Sequence, residues 1–244
     1  MKLTSESFKG SFFADLGNFK PSSDTIPPLL EVFREPQFLP NIMQEVDLSS
    51  GKQHPRLLLS TSDNEWVIQW EKERINIEKK PLTTSCENMG SIEDFTNTIT
   101  GFLGRILSKF PQKWNRLALI CHERVEEIES SQLEDIYLRF CLPIDFYKDH
   151  PPVNWVNRAV TRLDDTIGEK TEKFNVITTV SRGQGEYTGP EKNAFDRIDL
   201  LFDINTFQGN KNSRFEFDDV KLFFQKSLEI RKKLIENLEQ KIHG

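Results

Sequence analysis

Pro27-Pro28-Leu29-Leu30-Glu31-Val32-Phe33 and, about half the chain later, Pro151-Pro152-Val153-Asn154-Trp155-Val156 are the stretches on which the fold turns. Each opens on a proline pair and runs on as an apolar segment. A strand-like run precedes each pair: Ser11-Phe12-Phe13-Ala14-Asp15-Leu16 and Leu138-Arg139-Phe140-Cys141-Leu142. A long helix with an acidic start follows each, near Glu93-Asp94 and near Asp218-Asp219. Proline costs nothing in a first helical turn, because its missing N–H would be unpaired there. Both pairs therefore predict helices, a short one from Pro27 and a longer one from Pro151 to about Ile167. The expected fold is α+β: an internally duplicated strand-helix-strand-strand-helix module in ferredoxin-like order, with antiparallel sheets and long amphipathic helices. The expected modules are residues 1–128 and 129–244.

Working outward, Arg56-Leu57-Leu58-Leu59-Ser60-Thr61 and Trp66-Val67-Ile68-Gln69-Trp70 flank Asp63-Asn64, which predicts a strand pair joined by a tight turn. Arg74-Ile75-Asn76-Ile77-Glu78 alternates as a half-buried strand does. Pro36 and Pro40 stop the first short helix. Ser91-Ile92-Glu93-Asp94 resembles a capping box with Asp94 in the acidic position. Beyond it Ile92, Phe95, Ile99, Phe102, Leu103, Ile106, Leu107 and Phe110 step at three and four residues until Pro111. Leu117-Ala118-Leu119-Ile120-Cys121 predicts a strand. In the second half a strand is expected over 136–147, with others around 174–180 and 198–204. The last helix carries Val220, Phe224, Leu228, Arg231, Ile235, Leu238 and Ile242 on one stripe. A constant offset pairs Phe95 with Val220, Ile99 with Phe224, Leu103 with Leu228 and Phe110 with Ile235, so core positions match where surface letters do not. The glycines and proline at Gly183, Gly185, Gly189 and Pro190 mark the segment expected to be mobile.

The chain has 244 residues, 36% hydrophobic and 29% charged, which suits a soluble globular protein. Nineteen Phe against three Tyr predict a core filled with apolar rings. A formal net charge of −6 argues against a bulk electrostatic grip on nucleic acid. The first residues have no apolar signal-like run, and no stretch suits a membrane span, so a cytoplasmic protein without membrane contact is expected. Cys86, Cys121 and Cys141 are widely spaced, as reduced core thiols would be. His54, His122, His150 and His243 are scattered, so no metal site and no cofactor are expected.

Four constellations bear on chemistry. His122 ends a strand beside Glu123 and Arg124, with no visible partner to orient it. Asp63 followed by Glu78-Lys79-Lys80 has the skeleton of a metal-dependent nuclease, although Asp63 also suits a turn. Arg105, Lys109, Lys113 and Arg116 surround Trp114, which would suit a single strand of nucleic acid. The same cations also suit the end of a helix, and residues 122–135 are acidic. Asp203-Ile204-Asn205 places polar groups at a strand end, either as a turn or as a contact with a ligand or partner. The candidate binding residues are thus His122, Arg124, Asp203, Asn205, Lys113, Trp114 and Arg116. No catalytic residue is assigned.

The Arg56–Ile77 hairpin, the strand from Leu117 to Arg124, the Asp203-Ile204-Asn205 strand end and the long final helix together resemble an uncharacterised, sporadically distributed family of bacterial and archaeal proteins of similar length. That family's middle strand reads Arg-Tyr-x-Asn-Arg where this chain has Leu119-Ile120-Cys121-His122-Glu123-Arg124, so no site residue carries over. The resemblance implies an architecture and no established activity. Tandem ferredoxin-like folds also occur in CRISPR RNA-processing proteins, but their glycine-rich C-terminal loop has no counterpart here. The function expected is a non-catalytic cytoplasmic binding or scaffold protein, an accessory subunit of a bacterial multi-protein system such as a defence or toxin-control system. The alternatives are an RNA-binding or RNA-processing protein and a metal-dependent nuclease. A protein partner is expected, nucleic acid is not favoured, and homo-oligomerisation is left open.

Overall fold

The computed structural model describes residues 2–126, 128–141, 144–186 and 194–243. Its strands are β1 (Leu3–Phe13), β2 (Phe38–Val46), β3 (Gln53–Thr61), β4 (Trp66–Trp70), β5 (Arg74–Lys79), β6 (Arg116–Val125), β7 (Trp155–Ile167), β8 (Lys170–Glu186) and β9 (Ala194–Thr206). Its α-helices are α1 (Ile26–Val32), α2 (Ile92–Lys109), α3 (Leu133–Phe140), α4 (Asp145–Asp149) and α5 (Phe217–His243). The chain is α+β, and its strands form one nine-stranded sheet in the order β2-β3-β4-β5-β1-β6-β9-β8-β7. Every neighbouring pair is antiparallel.

The order of elements in each half differs from the ferredoxin-like one. Residues 1–125 run strand, helix, four meandering strands, helix, strand, and β6 pairs with β1 at the centre of the sheet instead of closing a module. The meander β2 to β5 extends to one side of β1, and β7 to β9 extend to the other side of β6.

Strand alternation sends odd and even residues to opposite faces. On one face Phe8, Phe12, Ile68, Ile77, Leu119, Phe202 and Ile204 lie buried beneath the helices. Ser91 caps α2 by accepting a 3.0 Å hydrogen bond from the Asp94 backbone N–H. Ile92, Phe95, Ile99, Phe102, Leu103 and Ile106 of that helix are buried, so the expected stripe holds over most of its length. Phe95 reaches to 5.3 Å from Phe8, between ring centroids. Gly10 permits the approach: a Cβ there would lie 2.5 Å from Ile99 Cδ1. In α5, Phe224 meets Phe12 edge-on at 6.1 Å and Phe223 stacks on Phe174 at 5.9 Å. Phe110 and Leu228, expected in the core, are only partly buried.

Three local expectations are corrected. Residues 133–140 form helix α3 where part of a strand was expected, because Leu133, Ile136, Tyr137 and Phe140 lie on one helical face and are all buried. Residues 155–167 form strand β7 where a helix was expected. Pro27 and Pro28 do start α1, but Pro151 and Pro152 precede a strand, since the fixed φ of proline suits extended chain as well as a first helical turn. The β-branched Val156, Val160, Thr161, Thr166 and Ile167 then favour extension, and Gly168 (φ +60°) turns the chain into β8. Strand β2 is additional. Pro40 lies within it and is tolerated because β2 is an edge strand. Of the segment expected to be mobile, Gly183 and Gly185 lie in β8, while Gly189 and Pro190 lie outside the described residues.

Candidate binding surface

The face of the sheet opposite the helices is built on a different plan. Direct cross-strand register places Gln69, Asn76, Ser11, Ala118, Asn205, Asn175 and Arg162 in one row across β4, β5, β1, β6, β9, β8 and β7. Five of these are almost inaccessible: Asn205 1%, Ser11 2%, Ala118 3%, Asn76 6% and Asn175 7%. The four polar ones bond one another and their neighbours, as buried polar groups do. Ser11 Oγ donates to Asn76 Oδ1 (2.7 Å), and Asn76 Nδ2 donates to Glu71 Oε1 (2.8 Å). Asn175 Nδ2 donates to Asn205 Oδ1 (3.0 Å), Asn205 Nδ2 to Asp203 Oδ1 (2.8 Å), and Arg162 Nε to Asn175 Oδ1 (3.0 Å).

The adjacent row roofs this one. Arg74, Phe13 and Arg116 are register partners, and the two guanidinium carbons lie 5.6 and 4.6 Å from the Phe13 ring centroid. Arg116 donates to Asn205 Oδ1 at 3.1 Å, while its buried Nε has no hydrogen-bond partner. Burial disfavours its charge, and nearby Asp203 partly compensates. The same Arg116 lines a cavity of about 380 Å³ together with Phe13, Asp15, Lys72, Glu73 and Lys211 among others.

Farther along β6, His122 is solvent-exposed between Ser7 and Leu201, and none of the charged groups around it orients the ring by a hydrogen bond in the described structure. Burial of part of the ring, and then the Lys9 ammonium, hold it below the ordinary histidine value. Arg124 is bound to Glu6 (3.3 Å), Glu126 (3.2 Å) and the Thr84 carbonyl (3.2 Å). Arg197 bridges Glu6 (3.0 Å) and Asp199 (2.8 Å). Positive and negative groups thus alternate, each facing its opposite.

The sequence candidates separate cleanly. Arg116, His122, Arg124, Asp203 and Asn205 share this open face. Trp114 does not present a stacking platform: it is fully buried, its ring 5.6 Å from Phe12. Lys113 is tied to Glu216 at 2.6 Å, Lys109 to Glu31 at 2.9 Å, and Arg105 to the Glu35 carbonyl at 2.6 Å. The basic group around Trp114 is therefore dispersed. In the nuclease skeleton, Asp63 is engaged within its own turn. Asp63 accepts from Thr61 Oγ1 (2.6 Å) and the Glu65 N–H (3.0 Å), which hold its carboxyl below the usual range and fix the turn. Lys80, the cation of the Glu-x-Lys pattern, lies 3.7 Å from Glu78, while Lys79 lies on the helix face against Trp66. Among the described residues no group of three His, Cys, Asp or Glu could hold a metal.

Sequence reasoning missed Ser11, Asn76, Asn175, Arg74 and Arg162, because their row exists only once strands distant in sequence are in register. It also missed the helix-face ion pair of Glu123 with Arg231, in which Glu123 is 1% exposed. Burial pushes the Glu123 carboxyl up, and Arg231 opposes that shift. No described helix is long and apolar enough to cross a membrane. The chain matches no protein-family model, no curated protein and no solved structure.

Proposed function

We propose that this chain is a non-catalytic protein-binding or scaffold protein that docks a protein partner on the open face of its sheet. The observation that carries the reading is the pairing within that face of amide with amide and of Arg124 and Arg197 with carboxylates. Its amides bond one another, Arg124 and Arg197 face carboxylates, Arg74 and Arg116 cover the Phe13 ring, and His122 has no orienting partner. Acid–base catalysis needs a base held within hydrogen-bond reach of its orienter, which His122 lacks. A single strand of nucleic acid needs unpaired cations and open rings, whereas here Arg74, Arg124 and Arg197 are paired with carboxylates and Phe13 is clasped between guanidiniums. A mosaic of alternating charge suits a protein surface of complementary pattern. An accessory subunit of a bacterial multi-protein system, such as a defence or toxin-control system, fits such a role. In the same reading the two halves are copies of one module meeting at residues 128–129, with α2 and α5 as counterparts. The support is that a meander followed by a long helix flanks each side of the central pair β1 and β6, four strands on one side and three on the other.

The test uses the purified chain with Mg²⁺ or Mn²⁺ and labelled single- and double-stranded RNA and DNA. The expected result is no cleavage and no salt-sensitive binding at physiological salt. Cleavage lost in Asp63→Ala or Glu78→Ala would establish the nuclease alternative. Micromolar RNA binding that weakens steeply with salt would establish the RNA alternative.

A further inference from the structure

The two edges of the sheet differ. Strand β2 is interrupted by Pro40, a residue that blunts an edge against further pairing. Strand β7 is outermost on the other side, runs for 13 residues and contains neither proline nor glycine. It therefore presents a long row of outward backbone donors and acceptors. From this edge we infer that the chain forms a homodimer by antiparallel pairing of β7 with β7 of a second copy, centred on Thr161.

The register follows from the charges. Val156, Arg158, Val160, Arg162 and Asp164 are the open-face residues of β7, set by their pairing with Ser181, Thr179, Ile177, Asn175 and Lys173. A two-fold axis at Thr161 places Arg158 opposite Asp164 of the second copy, and the symmetry repeats the pair. It also aligns Trp155 with Ile167, so the strand overlaps over its whole length. Moving the axis to Val160 sets Arg158 against Arg162, and moving it to Arg162 sets that residue against itself. A one-residue slip would join the open face of one copy to the helix face of the other. Opposite charges directly across a strand pair stabilise it and like charges oppose it, so the Thr161 register is the favoured one. Both partners are available: Arg158 is exposed, and Asp164 is 68% exposed, with a 3.4 Å contact to Lys173 that leaves room for a second cation. The dimer would keep both open faces on one side of a continuous sheet, doubling the surface described above.

Sedimentation velocity of the full chain across a concentration series tests this. The expected result is a species of twice 28.4 kDa. Arg158→Asp and Asp164→Arg should each weaken dimerisation roughly tenfold or more, since two attractive pairs become repulsive. The double variant carrying both changes should restore it. Unchanged circular dichroism and melting temperature would establish that the single variants are folded. A wild-type chain that stays monomeric, single reversals without effect, or a double variant no better than the singles would each overturn the inference. None of these outcomes bears on whether the open face binds a protein.

Discussion

The two faces of this sheet solve burial in opposite ways, and strand β6 shows both. Its odd residues Leu117, Leu119 and Cys121 are buried by packed rings and helices. Its even residues Arg116, His122 and Arg124 lie on a face that no described helix covers, yet Ala118 among them is only 3% exposed. There the roof is made by arginines lying over short polar side chains. Each face also borrows one feature of the other: the helix face holds the Glu123–Arg231 ion pair, and the open face holds Phe13 between two guanidiniums. An apolar face tolerates a charge only when it is paired. A polar face accepts a ring when cations cover it. The difference teaches that the helix face is built for stability, whereas the open face is held in shape and left accessible.

The largest effect should come from breaking the ion pair on the helix face. Arg231→Ala leaves Glu123 buried without its counter-ion and should cost about 3–5 kcal/mol by urea denaturation. A carboxyl whose folded pKa is raised binds its proton more tightly in the folded state. The penalty should therefore be smallest below the ordinary glutamate value and grow as pH rises above it. Replacing both partners, Glu123→Leu with Arg231→Met, should recover most of the loss. Trp114→Ala should also cost about 3–5 kcal/mol, as expected for a fully buried Trp. If its effect fell instead on nucleic-acid binding with stability unchanged, the division between the faces would fail.

On the open face the costs should be smaller. Asn205→Ala removes the acceptor of Arg116 and Asn175 and should cost about 1–3 kcal/mol, the range for stranding buried polar groups. An unchanged urea midpoint would show that the row is not a cooperative network. The smallest effect concerns His122. Its folded value is depressed, so the stability present above the ordinary histidine value should be lost as pH falls from there through the depressed one. The decline in urea midpoint over that window should be shallower in His122→Gln.

How much of this was legible in the sequence depended on range. The α2 stripe, the Ser91 cap and the Asp63-Asn64 turn, with Asn64 at φ 61°, are set by residues within a few positions of one another. Each was readable directly. The Pro151-Pro152 pair misled, because proline serves a helix start and an extended segment equally, and only the β-branched residues beyond it decide. Pro36 and Pro40 concealed β2, since a proline argues against a strand unless the strand is known to be an edge. Leu138 to Leu142 mimicked a strand by alternation, while Leu133, Ile136 and Tyr137, upstream of that window, set the true period with Phe140. The polar row was unreadable in principle from local pattern. Ser11 meets Asn76 on one side and Ala118 on the other, and those partners are fixed by sheet order alone. His122, Asp203 and Asn205 were found because polar groups in apolar strands are conspicuous, whereas their lattice of partners was not.

The most direct test of the contrast between faces is site-specific photo-crosslinking in native cells. One probe replaces Leu201, beside His122 on the open face, and the other replaces Gln225, on the groove between α2 and α5. The account predicts a discrete protein adduct from position 201, resistant to nuclease, and none from position 225. A nuclease-sensitive adduct at position 201, or protein adducts at position 225 alone, would contradict it.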